Sequence, residues 1–486
     1  MPQAVRTRYA PSPTGDPHVG NMRTALFAWL FARHHSGVFI VRIEDTDVLR
    51  KVEGAVEAIL DGLRWMNLDW DEGPEVGGDY GPYFQSQRLE LYHRAAQYLV
   101  SQGAAYYCYC SPERLERMRA DQARRKQPPG YDRHCRELSE EERQKKEREG
   151  MAPVVRFKTP LTGRTRFHDL IWGEVAFENN TLDDLVLLKS DGYPTYHLAN
   201  IVDDHAMKVS HVLRAEEWLS STPRHVLLYD AMGYQPPEFA HLPMLLGPDR
   251  SKLSKRHGAV SVGEFRDQGY LPEAMMNFLA LLGWSLDDRT ELMSRQELIE
   301  GFSLERVSKT AAVFSRQKLD WMNGVYIRKL DPEDFLERCL AFLKRDLPAD
   351  AERPPSADYV RQIAPLVQER VRTLAEVPAL TRFFFVDHLE YGTDLLIPKD
   401  MDASSTRRAL EVSRQRLAAL ASFDPGPLED LLRPLAEELG LKTGQLFGAL
   451  RTAVTGQKAA PPLFETMSVL GRELCLSRID RALSKL

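Results

Sequence analysis

Ala10-Pro11-Ser12-Pro13-Thr14-Gly15-Asp16-Pro17-His18-Val19-Gly20-Asn21 is the stretch whose reading decides the architecture, because it lies between a strand and a helix. Upstream, Val5-Arg6-Thr7-Arg8-Tyr9-Ala10 has the character of a strand. Downstream, Met22, Ala25, Leu26, Trp29 and Leu30 fall at the i, i+3, i+4, i+7, i+8 spacing of a helix. Gly37 to Ile43 then reads as a second strand running into Glu44-Asp45-Thr46-Asp47, and the stretch from Val52 to Trp65 as a second helix. Strand–helix–strand–helix order argues for parallel strands joined by right-handed crossovers. In such a sheet the ligand crevice lies at the carboxyl ends of the strands. A helix beginning there is expected to offer free N–H groups and a positive dipole end to phosphates, with Gly20 allowing close approach of a nucleotide to the backbone.

Beyond this unit the pattern changes. Short strands at 154–158 and 185–189 surround a charged, helix-prone stretch at 112–150, which reads as an α+β insertion. Near Tyr196 the α/β style resumes, with a strand at 209–214 and a helix from Ser220 to Met232 whose start is marked by Ser220-Ser221-Thr222-Pro223. After Gly258 the text is almost entirely helical, as at 271–282, 332–343 and 407–420, with joints at 346–357 and 397–404. The predicted fold is therefore an α/β Rossmann-type catalytic domain carrying an α+β insertion, followed by an all-α C-terminal half. The expected divisions are 1–95 and 196–258 for the catalytic domain, 96–195 for the insertion, and 259–330, 331–395 and 396–486 for three helical segments.

Composition narrows the function classes. A chain of 486 residues exceeds one hydrophobic core, and roughly three to five domains are expected. A net charge of −6 gives no global signal for nucleic acid, so an RNA surface would have to be a local basic patch. No run approaches the ~20 apolar residues of a membrane span; the longest, Thr24 to Ala32, is bracketed by Arg23 and Arg33. The start, Met1-Pro2-Gln3-Ala4-Val5-Arg6, has no signal-peptide core. Five cysteines, three of them at 108, 110 and 135, read as reduced thiols of a cytoplasmic protein.

A second segment, Ser251-Lys252-Leu253-Ser254-Lys255-Arg256-His257-Gly258, presents three cations in a loop. Cations aimed at a transferring phosphate stabilise developing charge. Either segment alone is an ordinary turn or a solvated loop; together, on opposite sides of an insertion, they resemble the His-Ile-Gly-His and Lys-Met-Ser-Lys-Ser signatures of class I aminoacyl-tRNA synthetases. The resemblance is closer to the bacterial glutamyl-tRNA synthetases and runs end to end. It includes Arg8 to Gly15, Arg42 to Asp47, Leu188 to Asn200, Arg214 to Trp218 and Lys255 to Ala259. Asn21 stands where the class motif has its second His, and Arg256 where it has its final Ser.

The resemblance implies a glutamate–tRNA ligase that forms a glutamyl-adenylate from L-glutamate and ATP with Mg²⁺ and loads tRNA-Glu, acting as a monomer without a membrane. It further implies that activation is productive only once tRNA is bound. It assigns Arg8, Ala10, Ser12, Glu44, Tyr196, Asn200 and Arg214 to the amino-acid pocket, and His18, Gly20, Asn21, Glu217, Leu245, Lys252, Ser254 and Lys255 to ATP. His18, Lys252 and Lys255 are the expected catalytic residues. The chemistry of the residues agrees: arginines at strand ends suit carboxylates, and Glu44 suits an ammonium.

Cys108-Tyr109-Cys110 with His134-Cys135 offers three thiols and an imidazole, a set suited to a structural zinc. Some members of the family bind zinc here through Cys-x-Cys and Cys-x-His. This chain reads Cys135-Arg136-Glu137, which makes His134 or Glu137 the fourth ligand expected. For RNA, Arg114, Arg117, Arg119, Arg124, Arg125 and Lys126 form a basic run that is either a phosphate surface or a solvated helix face. Arg370 matches an arginine linked in the family to the third anticodon base. Alternatives left open are a non-discriminating form that also charges tRNA-Gln and a non-catalytic tRNA-binding relative.

Overall fold

The computed structural model describes residues 4–47, 50–348, 351 and 354–486, with Lys255 described by its backbone alone. Two compact units result, one of Met1–Phe265 with Met275–Ser315 and one of Arg266–Ala274 with Arg316–Leu486.

In the first unit, β1 (Arg6–Tyr9) pairs parallel with β2 (Val38–Val41), Arg6 opposite Val38 and Tyr9 opposite Val41. The crossover is α1 (Val19–His34). The sequence predicts one apolar stripe on this helix, yet Arg23, Phe27, Ala28 and Phe31 are buried as well. The reason is a second cover: the helix Arg295–Gly301 packs on its far side, and Phe302 meets Phe27 edge-on at 5.3 Å. α2 (Ala55–Trp65) follows, entered through Gly54 at φ 75°, and α3 (Leu89–Ser101) after it.

The segment that reads as an insertion divides. β3 (Ala105–Cys108), α4 (Pro112–Arg124), α5 (Glu140–Arg148), β4 (Val154–Phe157) and β7 (Val186–Leu188) build an antiparallel sheet in the order β3-β4-β7 with two charged helices. Between β4 and β7 the chain leaves that sheet as a hairpin, β5 (Arg164–Asp169) and β6 (Gly173–Glu178). Asp169 of this hairpin pairs parallel with Phe239 of β9 (Glu238–Leu242), which pairs parallel with β8 (His211–Ala215). Between β7 and β9 run α6 (Tyr196–Ala206) and α7 (Thr222–Ala231). Ser210 N donates to Arg6 O at 2.9 Å, which lays β1 beside the entry to β8. The pair β2-β1 thus lies beside the four-stranded sheet β8-β9-β5-β6.

A charged lattice is buried where β1 and β2 end against α6. Arg42 bonds Asp204 at 2.7 Å, Glu44 at 3.0 Å and the Asn200 carbonyl at 3.1 Å. Arg88 bonds Asp203 at 2.6 Å, and Arg8 lies 3.3 Å from both oxygens of Asp204. Tyr92 and Gln85 donate to the other Asp203 oxygen at 2.7 and 2.9 Å. Arg8, Arg42, Arg88, Glu44, Asp203 and Asp204 are all buried, so three cations face three carboxylates.

In the second unit, the described residues from Arg316 onward contain helices and no strand, as the sequence predicts. Helices such as Pro332–Asp346, Ala357–Gln368, Ala403–Ala418, Thr443–Thr455 and Arg472–Lys485 close on one apolar core that includes Phe335, Val367, Phe384, Leu410 and Ile479. Arg478 is buried in it and donates to the carbonyls of Val454, Phe383 and Val386 at 2.6, 2.7 and 2.5 Å. Part of the expected 346–357 joint lies outside the described residues.

Replacing Arg42 with alanine is expected to destabilise the catalytic unit by about 3–5 kcal/mol, since it strands buried carboxylates. Denaturant unfolding should show the loss, and an unchanged midpoint would contradict a lattice that depends on Arg42.

Candidate active site

The turn after β1 ends on His18, which caps α1 with extended backbone (φ −68°, ψ 144°). Its Nδ1 accepts from Gly20 N at 3.0 Å. A Cβ at position 20 would stand 3.3 Å from that nitrogen, so glycine keeps the cap close. The remaining amides of the first turn are also taken. Val19 N donates to Val260 O at 2.8 Å, and Asn21 N and Met22 N to His18 O at 2.8 and 3.1 Å. The expectation of free N–H groups at this helix start is therefore corrected: the capping ring and carbonyls consume them, and the dipole and the His18 ring remain. Burial, reinforced by the charge of Lys252 and opposed by Glu264, lowers the His18 pKa. A neutral ring whose Nδ1 accepts carries its proton on Nε2, which makes it a donor. The Asn21 side chain is exposed.

Facing this cap in the same unit is the basic loop. Lys252 Nζ is bonded to Glu217 at 2.7 Å, both largely exposed. A pair of that kind is held weakly, so the lysine is easily released. The loop is folded around His257, whose Nδ1 accepts from Ser254 N at 3.1 Å and whose Nε2 lies 3.2 Å from Asp249. A Cβ on Gly247 would come within 2.8 Å of that ring. Ser254 Oγ is 3.4 Å from His257 Nδ1. Leu245 is buried on β10 (Leu245–Leu246), which pairs with β11 (Ala312–Val313). The Lys255 side chain lies outside the described residues.

The amino-acid residues divide between two clusters. Arg8, Glu44 and Asn200 belong to the charged lattice: Arg8 faces Asp204 and donates to Asn200 Oδ1 at 3.2 Å, and Glu44 is paired with Arg42. Burial raises the Glu44 pKa, against the pull of Arg42. Ala10 is half-buried and Ser12 exposed on the turn. The second cluster surrounds Arg214, on β8 and buried. Its Nε donates to His241 Nε2 at 3.0 Å and its Nη2 to Thr222 Oγ1 at 2.8 Å. Nη1 lies 3.2 Å from both the Tyr196 hydroxyl and His225 Nδ1. All four partners are uncharged acceptors. Burial lowers the pKa of His225 and of His241. Among the described residues no carboxylate reaches the Arg214 guanidinium within ion-pair distance. Tyr196 leans over Trp218 with ring centroids 4.5 Å apart.

Sequence reading missed His241, His225, Thr222 and Asp169. For His241 the signal lies in strand register: it is the direct partner of Arg214 across β8 and β9, visible only once those strands are paired.

The thiols of Cys108, Cys110 and Cys135 lie within 4.8 Å of one another. Neither predicted fourth ligand joins them. Glu137 is directed to Lys158 at 3.3 Å and His134 is exposed. The Tyr131 hydroxyl instead lies beside them, 3.2 Å from Cys108 Sγ and 3.3 Å from Cys110 Sγ, and accepts from Cys135 N at 3.0 Å. Three clustered thiols suit a soft cation such as zinc, with a fourth position still to be filled. The basic run on α4 is partly self-neutralised, with Arg114 on Asp132 at 2.6 Å and Arg125 on Asp121 at 2.8 Å.

In the helical unit Arg370 is exposed just beyond the helix Ala357–Gln368. Burial and the charge of Arg370 lower the pKa of Arg451, and neither arginine has a carboxylate partner among the described residues.

Two family models match the chain. That of the class I tRNA synthetases (E and Q), catalytic domain, covers residues 4–321, and that of an anticodon binding domain covers 334–483. The chain is 59% identical to a glutamate–tRNA ligase of Dehalococcoides mccartyi over 100% of its own length and 99% of that protein. It is 50% identical to one of Moorella thermoacetica over 98% of each. Among solved structures it superposes with TM-score 0.88 on the glutamate-tRNA synthetase of Elizabethkingia anophelis, 37% identical over 99% of this chain and 100% of that one. The same score and identity hold for the enzyme of Elizabethkingia meningosepticum in complex with its amino acid, with 100% of both chains covered. On this sequence and this fold, the chain belongs to the class I tRNA synthetases of the glutamate and glutamine group.

Proposed function

We propose that this chain activates L-glutamate with ATP and ligates it to the 3′ end of tRNA-Glu, with Arg214 as the receptor for a substrate carboxylate. The observation that carries this reading is a buried guanidinium whose partners are all neutral. Four of its five N–H groups are used, leaving one Nη2 hydrogen for a ligand. The Tyr196 hydroxyl, which accepts from Arg214, keeps its own hydrogen as a second donor. A glutamine amide could accept the open Nη2 hydrogen but would bring no negative charge, leaving the guanidinium without an anionic partner, a large penalty in a desolvated site. Glu44 is assigned to the ammonium, with Arg8 and Asn200 holding the wall behind it, and Ala10 and Ser12 line the turn.

In the first step an α-carboxylate oxygen of glutamate attacks the α-phosphorus of ATP, and pyrophosphate leaves. In the second, a terminal tRNA hydroxyl attacks the adenylate carbonyl, and AMP leaves. Neither step needs a protein nucleophile, so catalysis rests on positioning and charge stabilisation. His18 Nε2–H is assigned to the phosphates of Mg²⁺-ATP. Lys252, after leaving Glu217, and Lys255 supply countercharge, while Gly20, Asn21, Leu245 and Ser254 complete the nucleotide site. The finer segmentation into acceptor-end, stem and anticodon regions, with action as a cytoplasmic monomer, belongs to the same proposal. No described helix is long and apolar enough to cross a membrane.

Charging with radiolabelled glutamate on tRNA-Glu and tRNA-Gln transcripts in parallel tests the function. Loading of tRNA-Glu alone is expected, with Arg370, and Arg451 beside it, discriminating at the anticodon. Loading of both transcripts would remove the discrimination, and loading of neither would overturn the ligase reading.

A zinc held by Cys108, Cys110 and Cys135, with Tyr131 adjacent, would cross-link the α4 region structurally. Protein purified without chelator should carry about one zinc per chain and lose it in Cys110→Ser. Only trace metal in the parent protein would refute the site.

A further inference from the structure

Arg214, His241 and Asp169 sit on three neighbouring strands, β8, β9 and β5, and their side chains form one continuous chain of hydrogen bonds. Asp169 Oδ2 is 2.6 Å from His241 Nδ1, and His241 Nε2 is 3.0 Å from Arg214 Nε. Asp169 and His241 are both fully enclosed. The carboxylate is also fixed on its other side, where Oδ1 accepts from the amides of Ile171 and Trp172 at 2.9 Å each. Burial opposes ionisation of Asp169, but the hydrogen bonds from His241 and these amides outweigh it and lower its pKa.

We infer that Asp169 and His241 are positioning residues for glutamate recognition, with His241 as a neutral spacer that lets Asp169 aim Arg214 without neutralising it. The inference rests on the reading of Arg214 as the carboxylate receptor. An ionised carboxylate only accepts hydrogen bonds, so the hydrogen between it and His241 resides on Nδ1. The neutral ring must then present a bare lone pair at Nε2, the acceptor that the Arg214 Nε–H requires. Thr222 Oγ1, 3.0 Å from the same Nε2, has a carbonyl alternative for its hydrogen in Trp218 O at 3.1 Å. The lone pair is thereby left to the arginine.

Each simpler arrangement fails physically. A carboxylate at position 241 would pair with Arg214 directly and repel the substrate. An apolar residue there would leave a buried N–H without an acceptor and the guanidinium free to turn. Placing the negative charge one imidazole away orients the fork while its positive charge stays available to a ligand. The hairpin β5–β6, which departs from the antiparallel β3-β4-β7 sheet, is what delivers Asp169 to this position.

The test measures KM for glutamate and for ATP, in the presence of tRNA, in Asp169→Asn, His241→Phe, His241→Gln and Arg214→Lys. Asp169→Asn and His241→Phe are expected to raise KM for glutamate about tenfold or more, with KM for ATP unchanged within about twofold. His241→Gln, whose amide oxygen can stand in for Nε2, is expected to recover most of the loss. Unchanged glutamate KM in His241→Phe, or parallel rises for glutamate and ATP, would overturn the inference. If Arg214→Lys raises glutamate KM while the Asp169 and His241 variants do not, the inference alone falls. If Arg214→Lys changes nothing, the reading of Arg214 fails and takes the inference with it.

Discussion

Six buried charges where β1 and β2 end against α6 fix the shape of this catalytic unit. Arg42 is the hub: it touches Glu44, Asp204 and Asn200 within 3.1 Å, and removing it would leave carboxylates without compensation. Such a lattice is costly to desolvate and confers little net stability over an apolar core. What it does here is geometric. It ties the carboxyl ends of two parallel strands to one helix, at the edge of the sheet where ligands bind. Its three cations and three anions balance, and Arg214 stands apart from it as a buried charge with no carboxylate partner among the described residues.

On the proposed reading of Arg214, that division lets a pocket with several arginines choose a doubly acidic amino acid. Arg8 and Arg42 are occupied by Asp204 and form the wall. Arg214 is oriented by neutral rings and hydroxyls, and among the described residues no carboxylate pairs with it, which is what the proposed role as carboxylate receptor requires. The nucleotide side follows the same economy of contact. Burial and the charge of Lys252 lower the His18 pKa, while the lysine rests on an exposed glutamate.

Much of this was legible in the sequence where the signal is local. The strand–turn–helix start, the return of α/β pattern near Tyr196, and the helical second half follow from periodicity and turn residues. What was not legible depends on contacts distant in sequence. Strand β5 of the hairpin reads Arg164-Thr165-Arg166-Phe167-His168-Asp169, too polar to suggest a strand of the catalytic sheet. Nothing local marks Asp169 as a neighbour of His241. The α1 start promised free amides, but the capping ring and carbonyls that consume them are three-dimensional facts. His134 and Glu137 followed from counting along the chain, whereas Tyr131, four residues before Cys135, has its hydroxyl beside the thiols.

ATP–pyrophosphate exchange in the presence of tRNA-Glu, run with glutamate and with glutamine, addresses the role of Arg214 most directly. A carboxylate receptor built on an unneutralised arginine requires exchange with glutamate to exceed that with glutamine by on the order of a thousandfold or more, and requires Arg214→Gln to collapse the preference. Comparable exchange with both amino acids, or an undiminished preference in Arg214→Gln, would contradict it.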